Sequence, residues 1–433
     1  MKAANEDDVR FLAELTRATI DSARVQPGEE LAGEHAGKAV PVKNNLGFAA
    51  IRPAGASKAY PAIWIQDFTM AYSSGFIPCD EGLAHLWLIA SRQNSGPERN
   101  LPSGAIIPPH AIPDHINFDG TPVFYPGTYS SGPDQGGEPW GICPPLNNYF
   151  DFIWLAYMLW KDTGNTGLFS EMIEGRTLLQ RLISAYEVPP ADTRTGIVFT
   201  TPERRAVGFI FIDQVYMTGQ MLMASLERYR SARQLAEIHT RLGLPEPASR
   251  FEQDAQAIRE NIERVFENPD KSCGWLRAST GVSGQADVWG TIYALYLDVL
   301  SPAARRRAME QVHRDLDSGQ IMFEGALRQV PLDRDASPTS AWEKTIGSLN
   351  RYQNGAYWHT PTGWLIAVLD REHSSLAAAV FGEFVMHLRK EDFRQGPSHG
   401  APWECIGWEG KAKQNRAFLA SVALPYGVLF KRT

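Results

Sequence analysis

Apolar residues recur at three- and four-residue intervals along most of this 433-residue chain, the spacing that gives a helix one buried stripe. The pattern predicts helices near 7–23, 81–93, 149–162, 170–187, 212–230, 232–242, 250–267, 286–299, 302–315, 358–370, 373–388 and 415–429. They arrive largely in pairs. Their ends are locally marked: LSPAARRRAMEQVHRDL sets Ser301 as an N-cap with Pro302 at the first helical position, and DTGNTGLFSEMI supplies a Gly-rich turn with a cap at Ser170. IYALYLDVL and FIDQVYMTGQMLMASL are apolar on more than one face and read as inner helices, whereas RQLAEIHTRLG and AARRRAMEQVHRDL are amphipathic and read as outer ones. Inner and outer helices in alternation imply an all-α fold, an (α/α)6 toroid of about six hairpins. No short repeat of fixed period argues for an open solenoid. Before the toroid, KAVPV and GFAAI flank KNNLG between Gly33 and Ala59 and predict a β-hairpin or short extended arm. The expected division is therefore residues 1–58 as an N-terminal helix and arm packed on the barrel, and residues 59–433 as the barrel itself.

Polar residues of chemical interest concentrate in the loops. AIWIQDFTMAYSSGF places Trp64 and Asp67 at a helix start, where Asp67 either caps the helix or takes substrate hydroxyls beside the Trp64 ring. SSGPDQGGEPWGICPPLNNYFDFIW is rich in Pro and Gly, hence shaped rather than loose, and offers Glu138, Trp140 and Asn147. TTPERRAVGFIFIDQVY carries Glu203, Arg204, Arg205 and Asp213; an exposed Glu with two Arg is ordinarily a surface cluster, while a partly buried carboxyl beside a charge suits a general acid. Asp213, between apolar neighbours, reads as the more buried of the two. Further loops bring Gln285, Asp287 and Trp289, then Glu324, then His399, Trp403, Glu404, Trp408 and Glu409. YQNGAYWHTPTGW packs Gln353, Asn354, Tyr357, Trp358 and His359 into one short stretch.

Composition sharpens this picture. Twelve Trp, 14 Tyr and 20 Phe make 11% of the chain aromatic, and many of these rings sit in polar loops rather than periodic apolar runs. Sugar rings stack their C–H faces on such side chains, and their hydroxyls need convergent carboxylates, amides and His; cleavage adds a pair of carboxyls across the scissile bond. A net charge of −7 with scattered Lys and Arg gives no footprint for nucleic acid. Neither a secretory segment nor a run of about 18 apolar residues is visible, so a cytoplasmic protein without membrane contact is expected. Four dispersed cysteines form no CxxC pair, and neither metal nor cofactor is implied.

The order of these motifs resembles that of the six-hairpin glycosidases, most closely the group of trehalases, oligosaccharide-processing glucosidases and neutral invertases. WIQDFTMA is similar to their stretch before an early helix, FIDQVYMTGQMLMASL to their central helix, YQNGAYWHTPTGW to their N-G-x-W segment, and PWECIGWEG falls where the group keeps a C-terminal Glu. The likeness runs from roughly Ala59 to Phe430. It implies an exo-acting, inverting glycoside hydrolase acting on a neutral oligosaccharide or glycoside, with Glu404 matching the base and Glu203 lying nearest the acid, Asp213 being the second candidate. TTPERRAVGF departs from the group in lacking a W-D or G-x-D-D motif, and Gln66 stands where the group often has Arg. Two other readings stay open: a sugar 2-epimerase on the same toroid, using His359 or His399, and a carbohydrate-binding barrel without activity. The sequence leaves the oligomeric state open.

Overall fold

A computed structural model of the chain describes residues 5–25, 45–46, 62–281, 284–332, 344–345, 347–372, 374–407, 410 and 412–431. Twelve α-helices occur among them: α1 (Glu6–Ala23), α2 (Ile65–Ser73), α3 (Cys79–Arg92), α4 (Asn147–Thr163), α5 (Leu178–Glu187), α6 (Leu222–Arg241), α7 (Pro245–Phe266), α8 (Val288–Tyr296), α9 (Pro302–Asp317), α10 (Thr362–Glu372), α11 (Ser374–Lys390) and α12 (Ala420–Tyr426). The even-numbered helices form the inner ring. Each packs on the next, from α2 through α4, α6, α8 and α10 to α12, and α12 packs back on α2. Outside them, α3 and α5 lie on α4, α7 on α6, α11 on α10, and α1 on α11 and α12. Arg305 ties α9 to Glu372 at the end of α10. The predicted (α/α)6 toroid is the observed fold.

Patterning explains the layers. All nine residues of α2 and eight of the nine in α8 are buried, as an inner position between two neighbours and an outer layer requires. In α7 and α9 only one stripe is buried, and the Arg and Glu side chains face outward. Ser301 caps α9 by accepting from the backbone N–H of Ala304 at 3.2 Å, with Pro302 opening the helix as its sequence signals.

Three expectations are corrected. The helices expected at 212–230 and 232–242 are one continuous helix, α6, because nothing around Ser231 breaks it, and RQLAEIHTRLG is its second half, in the inner ring rather than the outer. Residues 213–221 are not helical: Gly219, at φ +79°, turns the chain and pairs with Thr200. The helix expected from 170 starts at Leu178, where Thr177 and Gln180 form a capping box; before it come a 3-10 turn, Thr166–Ser170, and a short ribbon. The pattern also misses α2, whose start it marks without giving it a length. The predicted arm at 33–59 lies outside the described residues apart from Asn45–Leu46, which pairs with Arg24–Val25.

Small sheets cover one end of the ring. Strands Met322–Phe323, Ala326–Arg328, Tyr357–Trp358, Trp403–Ile406 and Lys413–Arg416 pair in that order, all antiparallel, and Ala62–Trp64 pairs with His115–Asn117, which pairs with Pro122–Val123. These strands and the loops between them meet the N-terminal ends of α2, α4, α8, α10 and α12. The loop holding Gln353 is shaped by a buried arginine: Arg328 donates to the carbonyls of Gly355 and Val330. Gly355 has φ +100°, and a Cβ there would lie 2.6 Å from Arg328 Nη2, so only glycine suits both the backbone and the neighbour. Gly355→Ala is expected to destabilise the protein by about 1–3 kcal/mol, read as a lower thermal unfolding midpoint; an unchanged midpoint would refute this conformational requirement.

Candidate functional site

Four carboxyl groups from distant parts of the chain meet at the N-terminal end of the inner ring. Asp67 sits in the first turn of α2, Asp114 just before the strand His115–Asn117, Asp213 just after the 3-10 turn Ile210–Ile212, and Glu404 in the strand Trp403–Ile406. Asp67 is 1% exposed, Glu404 2% and Asp213 8%. Burial pushes the Asp67 carboxyl well above the usual carboxylate range, and the charges of Glu404, Asp114 and Asp151 add to the rise. Neither Asp67 oxygen meets a side-chain partner among the described residues. Trp64 occupies the N-cap position of α2 without a side-chain cap bond.

Asp213 is raised to about 8, first by burial and then by Asp114 and Glu404, against a lowering hydrogen bond from Gln353. Gln353 is itself fixed, its Oε1 accepting from the backbone N–H of Gln214 at 2.6 Å. Glu404 is held differently. Tyr352 donates its hydroxyl to Oε1 at 3.1 Å, and Asn415 donates its amide to Oε2. Both partners have left-handed backbones, Tyr352 at φ +46° and Asn415 at φ +40°, a conformation that Asn adopts readily and a bulky Tyr rarely. Two carboxyls thus stand in contrasting surroundings: Asp213 favoured in its protonated form, Glu404 receiving two neutral donors that suit a carboxylate.

One wall is aromatic. Trp64 stacks on His115 with centroids 4.4 Å apart and meets the edge of Tyr129 at 5.8 Å. His115 Nδ1 lies 2.7 Å from Asp114 Oδ2. Asn147, at the start of α4, donates to Gln66 Oε1 and to Asp151 Oδ2, joining the first turns of α2 and α4.

The remaining sequence candidates fall in several places. Glu203 is exposed on the 3-10 turn Pro202–Arg204, and its neighbours pair elsewhere, Arg204 with Glu98 and Arg205 with Glu138. Asp287 caps α8, accepting from the Gly290 N–H at 2.9 Å, and burial raises its carboxyl to about 7. Gln285 is buried just before it. Asn354 donates to the Gly347 carbonyl at 2.9 Å. Trp358 is fully buried among Phe211, Trp289 and Phe418, with its indole N–H on the Tyr352 carbonyl, so it braces the segments carrying Asp213 and Tyr352 from below. Tyr357, on the other face of its strand, packs on Phe323. His359 is buried against Phe384 and His387 with Nε2 3.0 Å from the Glu324 carbonyl, and burial lowers it to about 3. Trp140 is half-buried, lying flat on Gly127, where a Cβ would come 2.1 Å from its ring. Trp403 covers Gly400 in the same way. Trp408 and Glu409 lie outside the described residues.

Sequence reasoning does not single out Asp114, His115, Asp151, Tyr129, Tyr352 or Asn415. The PDH of residues 113–115 is the one local signal for the first two, a carboxyl and an imidazole adjacent between apolar residues. Nothing in KQNR marks Asn415, since its role depends on strand pairing with the Glu404 segment.

No protein-family model matches the sequence, and no curated protein matches it. Solved structures match in fold. A rhamnosidase from Klebsiella oxytoca with rhamnose bound aligns at TM-score 0.54 and 12% identity, over 98% of this chain and 64% of that one, so the chain spans under two thirds of that protein's length. A GH63 mannosylglycerate hydrolase from Thermus thermophilus in complex with glucose aligns at 0.56 and 14%, over 89% and 96%. A glycosidase variant in complex with glucose aligns at 0.56 and 12%, over 99% and 98%. At such identities the likeness is one of architecture, the (α/α)6 toroid.

Proposed function

We propose that the protein is a glycoside hydrolase, exo-acting and inverting, in which Asp213 is the general acid and Glu404 the general base. The observation that carries this reading is the contrast between the two carboxyls: Asp213 raised to about 8 by burial and by the Glu404 and Asp114 charges, Glu404 held by the Tyr352 hydroxyl and the Asn415 amide. At neutral pH Asp213 carries its proton and gives it to the glycosidic oxygen as the C1–O bond breaks. Glu404 takes a proton from the water whose oxygen attacks C1 from the opposite face. Asp67 takes hydroxyls of the bound sugar, and Trp64 offers a ring to its C–H face. Four carboxyls at one mouth disfavour an anionic substrate, which supports a neutral glycoside. The closed inner ring beneath them supports an exo-acting pit over a through-cleft. The motif order favours the trehalase, processing glucosidase and neutral invertase group.

A sugar 2-epimerase is the second reading. His359 is turned away on the Glu324 carbonyl, so that chemistry would fall to His115, paired with Asp114 and with Nε2 unpartnered among the described residues. Solvent deuterium appearing at C2 of a recovered sugar would favour it over hydrolysis.

Asp213→Asn is expected to lower kcat/KM by about 10^2–10^4-fold on alkyl glycosides and far less on dinitrophenyl glycosides, whose leaving group needs no proton. Glu203→Gln should leave both unchanged; the reverse pattern would move the acid to Glu203. In the wild type, kcat should fall as pH rises through about 8, where Asp213 loses its proton, and NMR of the first-formed anomer should show inversion.

Asp67 yields a stability test with a definite sign. A carboxyl raised by folding costs stability above its unfolded value of about 3.9, where the unfolded chain releases a proton that the folded chain retains. Asp67→Asn should therefore raise the thermal midpoint at pH 7, the advantage shrinking toward pH 4, while sugar binding weakens. A pH-independent difference would contradict the burial argument.

A further inference from the structure

At the opposite mouth of the toroid, among the C-terminal halves of α4, α6 and α8, a cavity of about 700 Å³ opens to solvent, within the usual range for small-molecule sites. Its walls are aromatic. Tyr293 stacks on Trp364 with centroids 4.3 Å apart and on Tyr296 at 6.3 Å, and across from them Trp154 lies under the Arg230 guanidinium at 4.2 Å. Charged and amide groups are interleaved with the rings, among them Arg230, Arg233, Arg259, Gln234, Glu237 and Glu252. Gln234 lines it, 7% exposed, with Oε1 lacking any partner among the described residues. Arg230 is fixed at its base by Asp151 and by the Tyr293 hydroxyl, and its Nε is likewise unpartnered among the described residues. Arg233 stands exposed at the rim.

A buried amide oxygen without a donor is costly to maintain, and the Gln234 side chain that carries it lines this ring-walled space. A sugar offers O–H donors along its edges and C–H faces above and below, which suits an acceptor and charged groups set among rings. We propose that this cavity is a second carbohydrate-binding site, taking a mono- or disaccharide between the Trp154 and Trp364 walls, with a hydroxyl donated to Gln234 Oε1. It contains none of the four carboxyls at the other mouth, and of its own two, Glu237 already accepts from Lys161 and the Tyr157 hydroxyl, which leaves no free pair of carboxyls for cleavage. Its existence does not depend on the hydrolase assignment, because none of its lining residues belongs to the carboxyl cluster at the other mouth.

Calorimetric titration with D-glucose, D-galactose and D-mannose in turn tests this. At least one of them should occupy the far site in the wild type and in Asp67→Ala. Tyr296→Ala should lose that equivalent with turnover of aryl glycosides unchanged, and Arg233→Glu, an exposed change that leaves the core intact, should weaken it. Wild type binding none of the three sugars, Asp67→Ala abolishing all binding, or both Tyr296→Ala and Arg233→Glu titrating like wild type would each overturn the proposal. If the hydrolase reading fails instead, no aryl glycoside turns over and Glu404→Gln changes nothing, yet the Tyr296-dependent equivalent persists.

Discussion

The constraint from which the rest follows is the crowding of Asp67, Asp114, Asp213 and Glu404 in a space nearly closed to water. Buried carboxyls in mutual reach cannot all be ionised, because each charge raises the cost of the next. The fold resolves the conflict by giving them unequal partners. Glu404 receives two side-chain donors, Asp114 has His115, Asp213 has one amide, and Asp67 has no side-chain partner among the described residues. On that inequality of partners rests the proposed division into acid and base.

Unequal partners need rigid carriers. The donors to Glu404 come from residues with left-handed backbones, and the loop holding Gln353 is clamped by Arg328 at a position where only glycine fits. Trp358, Phe211 and Phe418 fill the space beneath. The aromatic abundance thus divides into two uses: rings such as Trp64 that reach the site, and rings such as Trp358 that stop its loops from moving.

The fold was legible in the sequence because helix periodicity and caps are local. Ser301 and Pro302 announce α9, and the doubly apolar IYALYLDVL announces an inner helix, each within a few residues. Where local signals conflicted, as at 213–221, apolar content alone read as helix and Gly219 was outweighed. The site was less legible. Glu404 stands out by its flanking rings and Asp213 by its apolar neighbours, but Asp114, Tyr352 and Asn415 act through contacts tens to hundreds of residues away, which no local pattern encodes. The apolar neighbours of Asp213 mark it as more buried than Glu203, and the folded chain has Asp213 buried and Glu203 exposed.

The seam at which α12 meets α2 joins the two ends of the barrel domain. The ring cannot close before α12 is made, since α12 is the element that meets α2. Without α12, the face of α2 opposite α4 has no neighbouring helix. Truncation by even one helix at the C-terminus would therefore leave an open arc prone to self-association, and the last seam to close is also the one that brings the two halves of the carboxyl cluster together.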